Sequence, residues 1–333
     1  MTLNQLRYLL AIVDADLNIT VAARRVHATQ PGLSKQLKQL EDELGSPLII
    51  RRGKSLESLT SLGQQVVESA RRIVGEADSI RTLADNQMEV PRGRLRIATT
   101  HTQARYVLQH LLPAFRLKYP EVSVHIEPGD PTQFAERLRR DEIDLAIQST
   151  VEAPPSGVFA LPAYRWDRVV VVPEGHPLAS FGRHIELADL AEYSLTSYDS
   201  SRRPESSLQR VFRGAGLTPK IVVTALDADL VKTYARTGLG IGIFAEMALQ
   251  PEDAGSLVAL DAEHLFPPCT AWICLAEQRP PRAYVDDFIQ LLAPHLPAQA
   301  RDARATRADA IPQWRHLHKR LRELIRVQSD AVA

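Results

Sequence analysis

Around Met88–Gly93 the hydrophobic rhythm of this chain changes, and nothing else in the sequence constrains the fold as strongly. Upstream, apolar residues recur at helical spacing in short, tightly punctuated segments. Downstream, short apolar runs alternate with amphipathic stretches. The two patterns ask for different cores, and 333 residues are enough for about two domains. Apolar residues make up 44% of the chain, which supports packed cores and excludes wholesale disorder.

Leu3, Leu6, Leu9, Leu10 and Val13 give a first helix one apolar face. Asn18 can cap a second helix through Val26. Thr29 can cap a third, with Pro31 tolerated in its first turn and Gly45 closing it. Pro47–Arg51 and Ser55–Thr60 read as two short strands around the turn Arg52-Gly53-Lys54. From Ser61 to Asn86 the apolar positions, among them Val66, Val67, Ala70, Ile73, Val74 and Ile80, keep a near-helical rhythm. A helix of that length exceeds what a small domain needs and usually packs against a second copy.

Beyond the break, strands are predicted at Leu95–Thr99, Val122–Glu127, Leu145–Gln148, Arg168–Val172, Lys220–Thr224 and Gly240–Phe244. Helices are predicted at Gln103–Lys118, Gln133–Arg140, Ser206–Arg213, Ala228–Thr237 and Arg282–Leu292. Such alternation implies βαβ units and mostly parallel sheets. The segment is longer than one sheet needs, so two lobes are expected, with a ligand beyond the carboxyl ends of the strands. Cys269 and Cys274 lie five apart in a strand-like run, hence on opposite faces, and read as buried thiols instead of a disulfide or metal pair. After Pro297, Trp314, Leu317, Leu321, Leu324 and Ile325 form a helical stripe among Arg315, Lys319, Arg320, Arg322 and Arg326. That stripe suits either a docked surface helix or a nucleic-acid or interdomain contact. The expected divisions are 1–60, 61–90, 91–296 and 297–333. No apolar run is long enough for a membrane span, and Met1-Thr2-Leu3-Asn4-Gln5 opens no signal-peptide pattern, so a cytoplasmic location without a membrane partner is expected.

The first three helices can form a helix-turn-helix. Ala22-Ala23 supply the small residues needed where two helices cross, and Val26, Leu33, Leu37 and Leu40 fill the interior. Gln30, Pro31, Ser34, Lys35 and Lys38 are then left at or near the exposed start of the third helix, where Gln can pair with adenine and Lys with guanine. Arg51, Arg52 and Lys54 on the wing suit phosphates. Eight Lys/Arg face five acids over residues 1–54, and the whole chain carries a formal net charge of zero. Charge therefore does not decide the matter, and these residues alone leave DNA binding open.

The pattern Ala22-Ala23-x-x-Val26-x-x-x-Gln30-Pro31-x-x-Ser34-x-x-Leu37-x-x-Leu40-Glu41-x-x-Leu44-Gly45, followed by Leu48, Arg51 and Thr60-x-x-Gly63, resembles the DNA-binding signature of LysR-type transcription regulators. The resemblance implies an α/β chain with an N-terminal winged helix-turn-helix and a long dimerising linker helix. A two-lobed effector domain similar to periplasmic binding proteins would follow. It also implies a homodimer or homotetramer on promoter DNA, with RNA polymerase as a further partner.

At the predicted strand-to-helix turn after Thr99, backbone N–H groups and a helix dipole favour an anion, and Thr100, Thr102 and Gln103 add uncharged donors. The alternative is that these residues merely cap the helix. The run Thr99-Thr100-His101-Thr102-Gln103-Ala104-Arg105 is similar to the effector motif of the CysB-like subgroup. So are Pro131-Thr132-Gln133, Tyr164-x-Trp166-x-Arg168 and Thr224-x-x-Asp227-Ala228-Asp229-x-x-Lys232-Thr233-Tyr234. The likeness runs from residue 1 to about 296. It implies an activator of sulfur-assimilation or organosulfur-utilisation genes, with acetylserine as inducer and sulfate- or thiosulfate-like anions as opposing ligands. Carried over by position, Thr100, Thr102, Gln103, Ser149 and Trp166 would hold the effector. Ser149 stands where the subgroup pattern has Thr, and Arg202 and Arg203 stand where it has an uncharged loop. Those two guanidiniums would strengthen binding of a charged ligand if they face the site.

Other chemistry finds little support. Gly238-x-Gly240-x-Gly242 precedes a strand instead of following one, so it is no dinucleotide fingerprint. No G-x-S-x-G or H-E-x-x-H occurs, and His316-x-His318 is poorly spaced for metal on a helix. Neither enzyme activity nor a cofactor or metal is expected. The remaining readings are a LysR-type regulator of another pathway and, from a different class, a solute-binding protein.

Overall fold

The computed structural model describes residues 1–53, 55–85, 91–151, 153–181, 183–277, 281–297 and 311–319. Lys54 and the tail positions Arg320, Leu321, Arg322, Leu324, Ile325 and Arg326 lie outside them. The chain divides into two compact units, Met1–Glu89 with Glu277–Arg282, and Val90–Ala276 with Ala283–Ala333.

In the first unit, α1 (Leu3–Asp14) opens on a capping box at Thr2. Next, α2 (Ile19–Arg25) is capped by Asn18, and α3 (Gln30–Leu44) by Thr29. At the end of α3, Gly45 takes the left-handed φ of 71° that a side chain resists. Strands β1 (Ile49–Arg52) and β2 (Ser55–Leu59) pair antiparallel, and α4 (Ser61–Asp85) follows. Leu6, Leu9, Ile12, Ala22, Leu33, Leu37, Leu40 and Leu48 fill one core, joined by Val67 and Ala70 of α4. Thr60 ties α4 to the hairpin: its N–H donates to the Leu48 carbonyl and its Oγ1 accepts from Gly63 N.

The second unit begins with β3 (Gly93–Thr99) and α5 (His101–Tyr106), then α6 (Leu112–Lys118), β4 (Val122–Pro128), α7 (Phe134–Arg139), β5 (Leu145–Thr150) and β6 (Phe159–Trp166). The chain then enters a second lobe through β7 (Arg168–Pro173), α8 (Leu187–Ala191), β8 (Ser194–Tyr198), α9 (Ser207–Gly214), β9 (Lys220–Ala225), α10 (Ala228–Arg236), β10 (Ile241–Ala245) and β11 (Leu257–Leu260). It returns in β12 (Cys269–Leu275) and α11 (Ala283–Leu292). The first lobe's sheet has the order β4-β3-β5-β12-β6 and the second lobe's β11-β7-β10-β8-β9.

Two expectations need correcting. The sheets are mixed and not mostly parallel. In each, the strands linked through helices pair in parallel, while β6, β12, β7 and β11 pair antiparallel. Only Asp167 separates β6 from β7, which lie in different sheets, so the chain passes straight from one lobe to the other there, and each strand pairs antiparallel within its own sheet. The helix expected over Gln103–Lys118 is broken into α5, a 3₁₀ turn at Leu108–His110, and α6. Pro113 opens α6 because it lacks the N–H and sterically blocks the preceding turn. Strand β6 escaped prediction because it contains Pro162, which is acceptable on a strand paired only with β12 at the edge of the sheet. Cys269 and Cys274 are both buried and free, on opposite faces of β12 in separate core clusters. Among the described residues no helix is long and apolar enough to cross a membrane.

Candidate functional sites for DNA and a small anion

The nucleic-acid candidate is built on α3. Leu33, Leu37 and Leu40 are buried, and Ala22 and Ala23 of α2 pack in the same core. The opposite face is thereby turned outward: Gln30, Pro31, Lys35 and Lys38 are exposed and Ser34 is half-buried. Thr29 Oγ1 accepts from Gly32 N at 3.3 Å, which satisfies one N–H of the first turn and leaves the Gln30 side chain uncommitted to capping. The turn between α2 and α3 places His27 at φ 51°.

The wing packs in one core with α3, and Glu41 ties the two together. Glu41 is buried, and its Oε1 accepts from Leu48 N at 2.9 Å and Ile49 N at 3.2 Å, while Oε2 accepts from Arg51 Nη2 at 2.8 Å. Arg51 is thus held in place by a carboxylate, yet its side chain stays 43% exposed. Arg52 is exposed on the same strand, and Lys54 lies outside the described residues. The sequence pattern contained Glu41 but carried no indication of this anchoring role.

The anion candidate lies where β3 ends. Thr100 Oγ1 caps α5, accepting from Gln103 N at 3.4 Å, so its hydroxyl serves the helix. With α5 only six residues long, its dipole contributes little, and the side-chain donors are the groups able to hold an anion. Thr102, Gln103 and Trp166 are buried, and Ser149 sits half-buried on β5. Gln103 Nε2 donates to Ser149 Oγ at 3.2 Å, and Trp166 Nε1 donates to the same oxygen at 3.0 Å. Two N–H groups occupy the lone pairs of Ser149, which leaves its hydroxyl proton to donate outward. The buried Tyr164 hydroxyl donates to Gln103 Oε1, fixing which way the amide faces.

The second lobe completes the cluster. Tyr198, at the end of β8, has its hydroxyl 3.1 Å from Thr102 Oγ1 and accepts from Ala245 N at 3.2 Å. Burial pushes the phenols of Tyr164 and Tyr198 above the ordinary tyrosine value, so both stay neutral hydrogen-bonding groups. The two lobes present matching strand ends: Thr99 Oγ1 donates to the Ile147 carbonyl, and Ser197 Oγ to the Ile243 carbonyl. A further link joins α5 to α10. Tyr106 donates to Asp229 Oδ1 at 2.5 Å, and the buried Lys232 Nζ lies 3.3 Å from the Tyr106 hydroxyl and 3.1 Å from Asp253.

The structure therefore brings together Thr102, Gln103, Ser149 and Trp166, with Thr100 at the cap beside them. It does not bring Arg202 and Arg203 to this cluster. Both are exposed on the turn after β8, and Arg203 pairs with Asp130 at 3.5 Å. Tyr164, Tyr198 and Arg168 are the residues that site prediction missed. Tyr164 and Arg168 stood within a quoted motif, whereas Tyr198 is 96 positions from its partner Thr102 and left no local signal. The Arg168 guanidinium lies over the Trp166 ring, 5.9 Å from its centroid, and donates to Ser207 Oγ at 2.5 Å. The cluster offers neutral donors on two lobes without a nucleophile–base pair, an arrangement suited to holding an anion by hydrogen bonds. Elsewhere His184, Asp261 and His264, all exposed, place metal-capable atoms within 4.8 Å of one another.

Comparison with known proteins identifies both parts of the chain. Residues 3–64 match the bacterial regulatory helix-turn-helix proteins of the lysR family, and residues 89–297 match the LysR substrate binding domain. The chain is 43% identical over 298 residues to the HTH-type transcriptional regulator CysB of Haemophilus influenzae, covering 89% of this chain and 91% of that protein. It is 39% identical over 297 residues to the regulator SsuR of Burkholderia cenocepacia, covering 89% and 96%. The crystal structure of the cofactor-binding domain of the Cbl transcriptional regulator superposes with a TM-score of 0.59 at 34% identity, over 66% of this chain and 97% of that one.

Proposed function

Since this chain belongs to the LysR family of DNA-binding transcription regulators and is similar to CysB, SsuR and Cbl, we propose that it controls sulfur-assimilation or organosulfur-utilisation genes in response to a small anion held between its two lobes. The observation that carries this reading is the neutral donor cluster of Thr102, Gln103, Ser149, Trp166 and Tyr198, drawn from both lobes. Thr100 caps the helix beside it, and Arg202 and Arg203 would enter only if the turn after β8 moved. A ligand bridging the lobes changes activity only by binding one arrangement better than another.

Gln30, Pro31, Ser34, Lys35 and Lys38 would meet base edges or adjacent phosphates, with Arg51, Arg52 and Lys54 on the backbone. On α4, Ile73 and Ile80 are 42% and 68% exposed and one heptad apart, which supports pairing with a second copy. The functional divisions would be 1–60, 61–90, 91–296 and 297–333, in a cytoplasmic homodimer or homotetramer that contacts RNA polymerase. Calorimetry with acetylserine, sulfate, thiosulfate and a sulfonate, on the native chain and on Ser149→Ala, tests the reading. Binding of one of them that weakens in the variant is expected. Failure of all four to bind would overturn the sulfur assignment and leave a LysR-type regulator of another pathway.

A further inference from the structure

Residues 311–319 lie beyond the segment that matches the LysR substrate binding domain, and they touch both halves of the site. On the first lobe, Arg165 N donates to the Pro312 carbonyl at 2.8 Å, and Gln313 bridges Arg165 in parallel, covering the free edge of β6. Trp314 and Leu317 are buried, so this part of the tail stripe is docked. The Trp314 ring packs on Tyr164, centroids 5.2 Å apart, and stacks on its other neighbour His318 at the same spacing. Tyr164 is the residue whose hydroxyl orients Gln103.

On the second lobe, Arg315 Nε donates to Glu246 Oε2 at 2.5 Å, and its Nη2 pairs with Glu263. Glu246 in turn brackets the crossover: its Oε1 accepts from Asp167 N at 3.1 Å and its own N–H donates to the Asp167 carbonyl at 3.0 Å. The preceding residue, Ala245, donates to Tyr198. Adjacent side chains, Trp314 and Arg315, thus reach the two lobes, Trp314 connecting to Gln103 through Tyr164 and Arg315 to Tyr198 through Glu246 and Ala245.

We propose that residues 311–319 are an intramolecular strap across the lobe crossover, in which Trp314 and Arg315 are positioning residues for the anion site. This rests on the reading of that cluster as the effector site. Trp314 holds Tyr164, and through it the Gln103 amide, in the orientation that serves Ser149. Arg315 holds Glu246 against the crossover, and so keeps the Ala245 N–H on Tyr198. The ion pair also neutralises part of a carboxylate cluster, because burial and the neighbouring Glu246 and Glu263 hold the Asp167 carboxyl above its ordinary value while Arg315 opposes them.

The test uses the full chain and four variants: Trp314→Ala, Trp314→Phe, Arg315→Ala, and Leu208→Ala, a cavity in the second lobe's own core as a control for general destabilisation. Two readouts are taken. In hydrogen exchange without ligand, Trp314→Ala is expected to lose protection at residues 101–106 and 165, and Arg315→Ala at 245, whereas Leu208→Ala loses it elsewhere. In calorimetry with thiosulfate and with acetylserine, Trp314→Ala should raise Kd roughly three- to thirtyfold, with Trp314→Phe restoring most of it. Unchanged exchange at those amides in both strap variants overturns the strap, whichever ligand binds. A Kd in Trp314→Ala no higher than in Leu208→Ala overturns the positioning role. If the native chain binds neither probe while exchange changes as expected, the strap stands and the effector reading fails.

Discussion

The hydroxyl of Tyr198 stands 3.1 Å from Oγ1 of Thr102 and joins the end of β8 in one lobe to α5 in the other. The same α5 carries Gln103 toward Ser149 and Tyr106 toward Asp229, so one short helix holds the cluster and an interlobe contact together. Movement of one lobe against the other must disturb the Tyr198–Thr102 and Tyr106–Asp229 hydrogen bonds.

Thr102→Ala removes a hydroxyl from the cluster and leaves α3 unchanged. It is expected to abolish the ligand response in a mobility shift while operator binding without ligand is retained. An unchanged response would remove Thr102 from the site. Tyr198→Phe leaves Ala245 N–H without its acceptor and should cost about 1–3 kcal/mol of stability in denaturant unfolding, the usual penalty for a stranded buried group.

Gln30 stands on the exposed first turn of α3. Gln30→Ala is expected to weaken specific relative to non-specific DNA binding by about 1–3 kcal/mol, the worth of one good base contact. Equal loss on random DNA, measured at one salt concentration, would count against base reading.

Gly63 meets the wing more closely than any side chain could. A Cβ placed there would overlap the Leu48 carbonyl oxygen, a backbone atom that cannot swing aside. Gly63→Ala should therefore destabilise the N-terminal unit by about 1–3 kcal/mol or more, as overpacking does. Thermal unfolding and loss of DNA binding at raised temperature check this. A variant as stable as the native chain would refute the close approach.

Burial lowers the affinity of His295 for a proton below the ordinary value of 6.5, and its Nε2–H donates to the Pro162 carbonyl at 3.0 Å. The unfolded chain then binds the proton more tightly than the folded one. This contribution is fully present above about pH 6.5 and is lost as pH falls from there through the folded value. His176 shifts in the same direction, also through burial. The carboxylates of Glu127, Asp130 and Asp189 are held below their usual values by hydrogen bonds, from Arg137, Thr132 and Arg183 respectively, and so titrate in a more acid range. Unfolding midpoints between pH 7.5 and pH 5 should fall less steeply for His295→Gln than for the native chain. Parallel slopes would exclude His295.

Local chemistry was enough for the N-terminal unit. Asn18, Thr29 and Gly45 mark helix ends through bonds to neighbours three or four residues away, and the leucine spacing chooses the buried face, so each element was legible as it stood. Helical periodicity overran at Pro113, and β6 hid behind Pro162, because whether a proline breaks an element depends on what lies beside it. The amino-acid order also placed Thr102 and Gln103 at a strand-to-helix turn, where it left anion binding open, and it carried Ser149 and Trp166 only through resemblance to a family. That Tyr198 meets Thr102 and Trp314 backs Tyr164 depends on chain segments far apart in number arriving side by side. Contacts of that kind leave no periodic trace, because they are set by where the chain crosses between lobes and where its 311–319 segment docks.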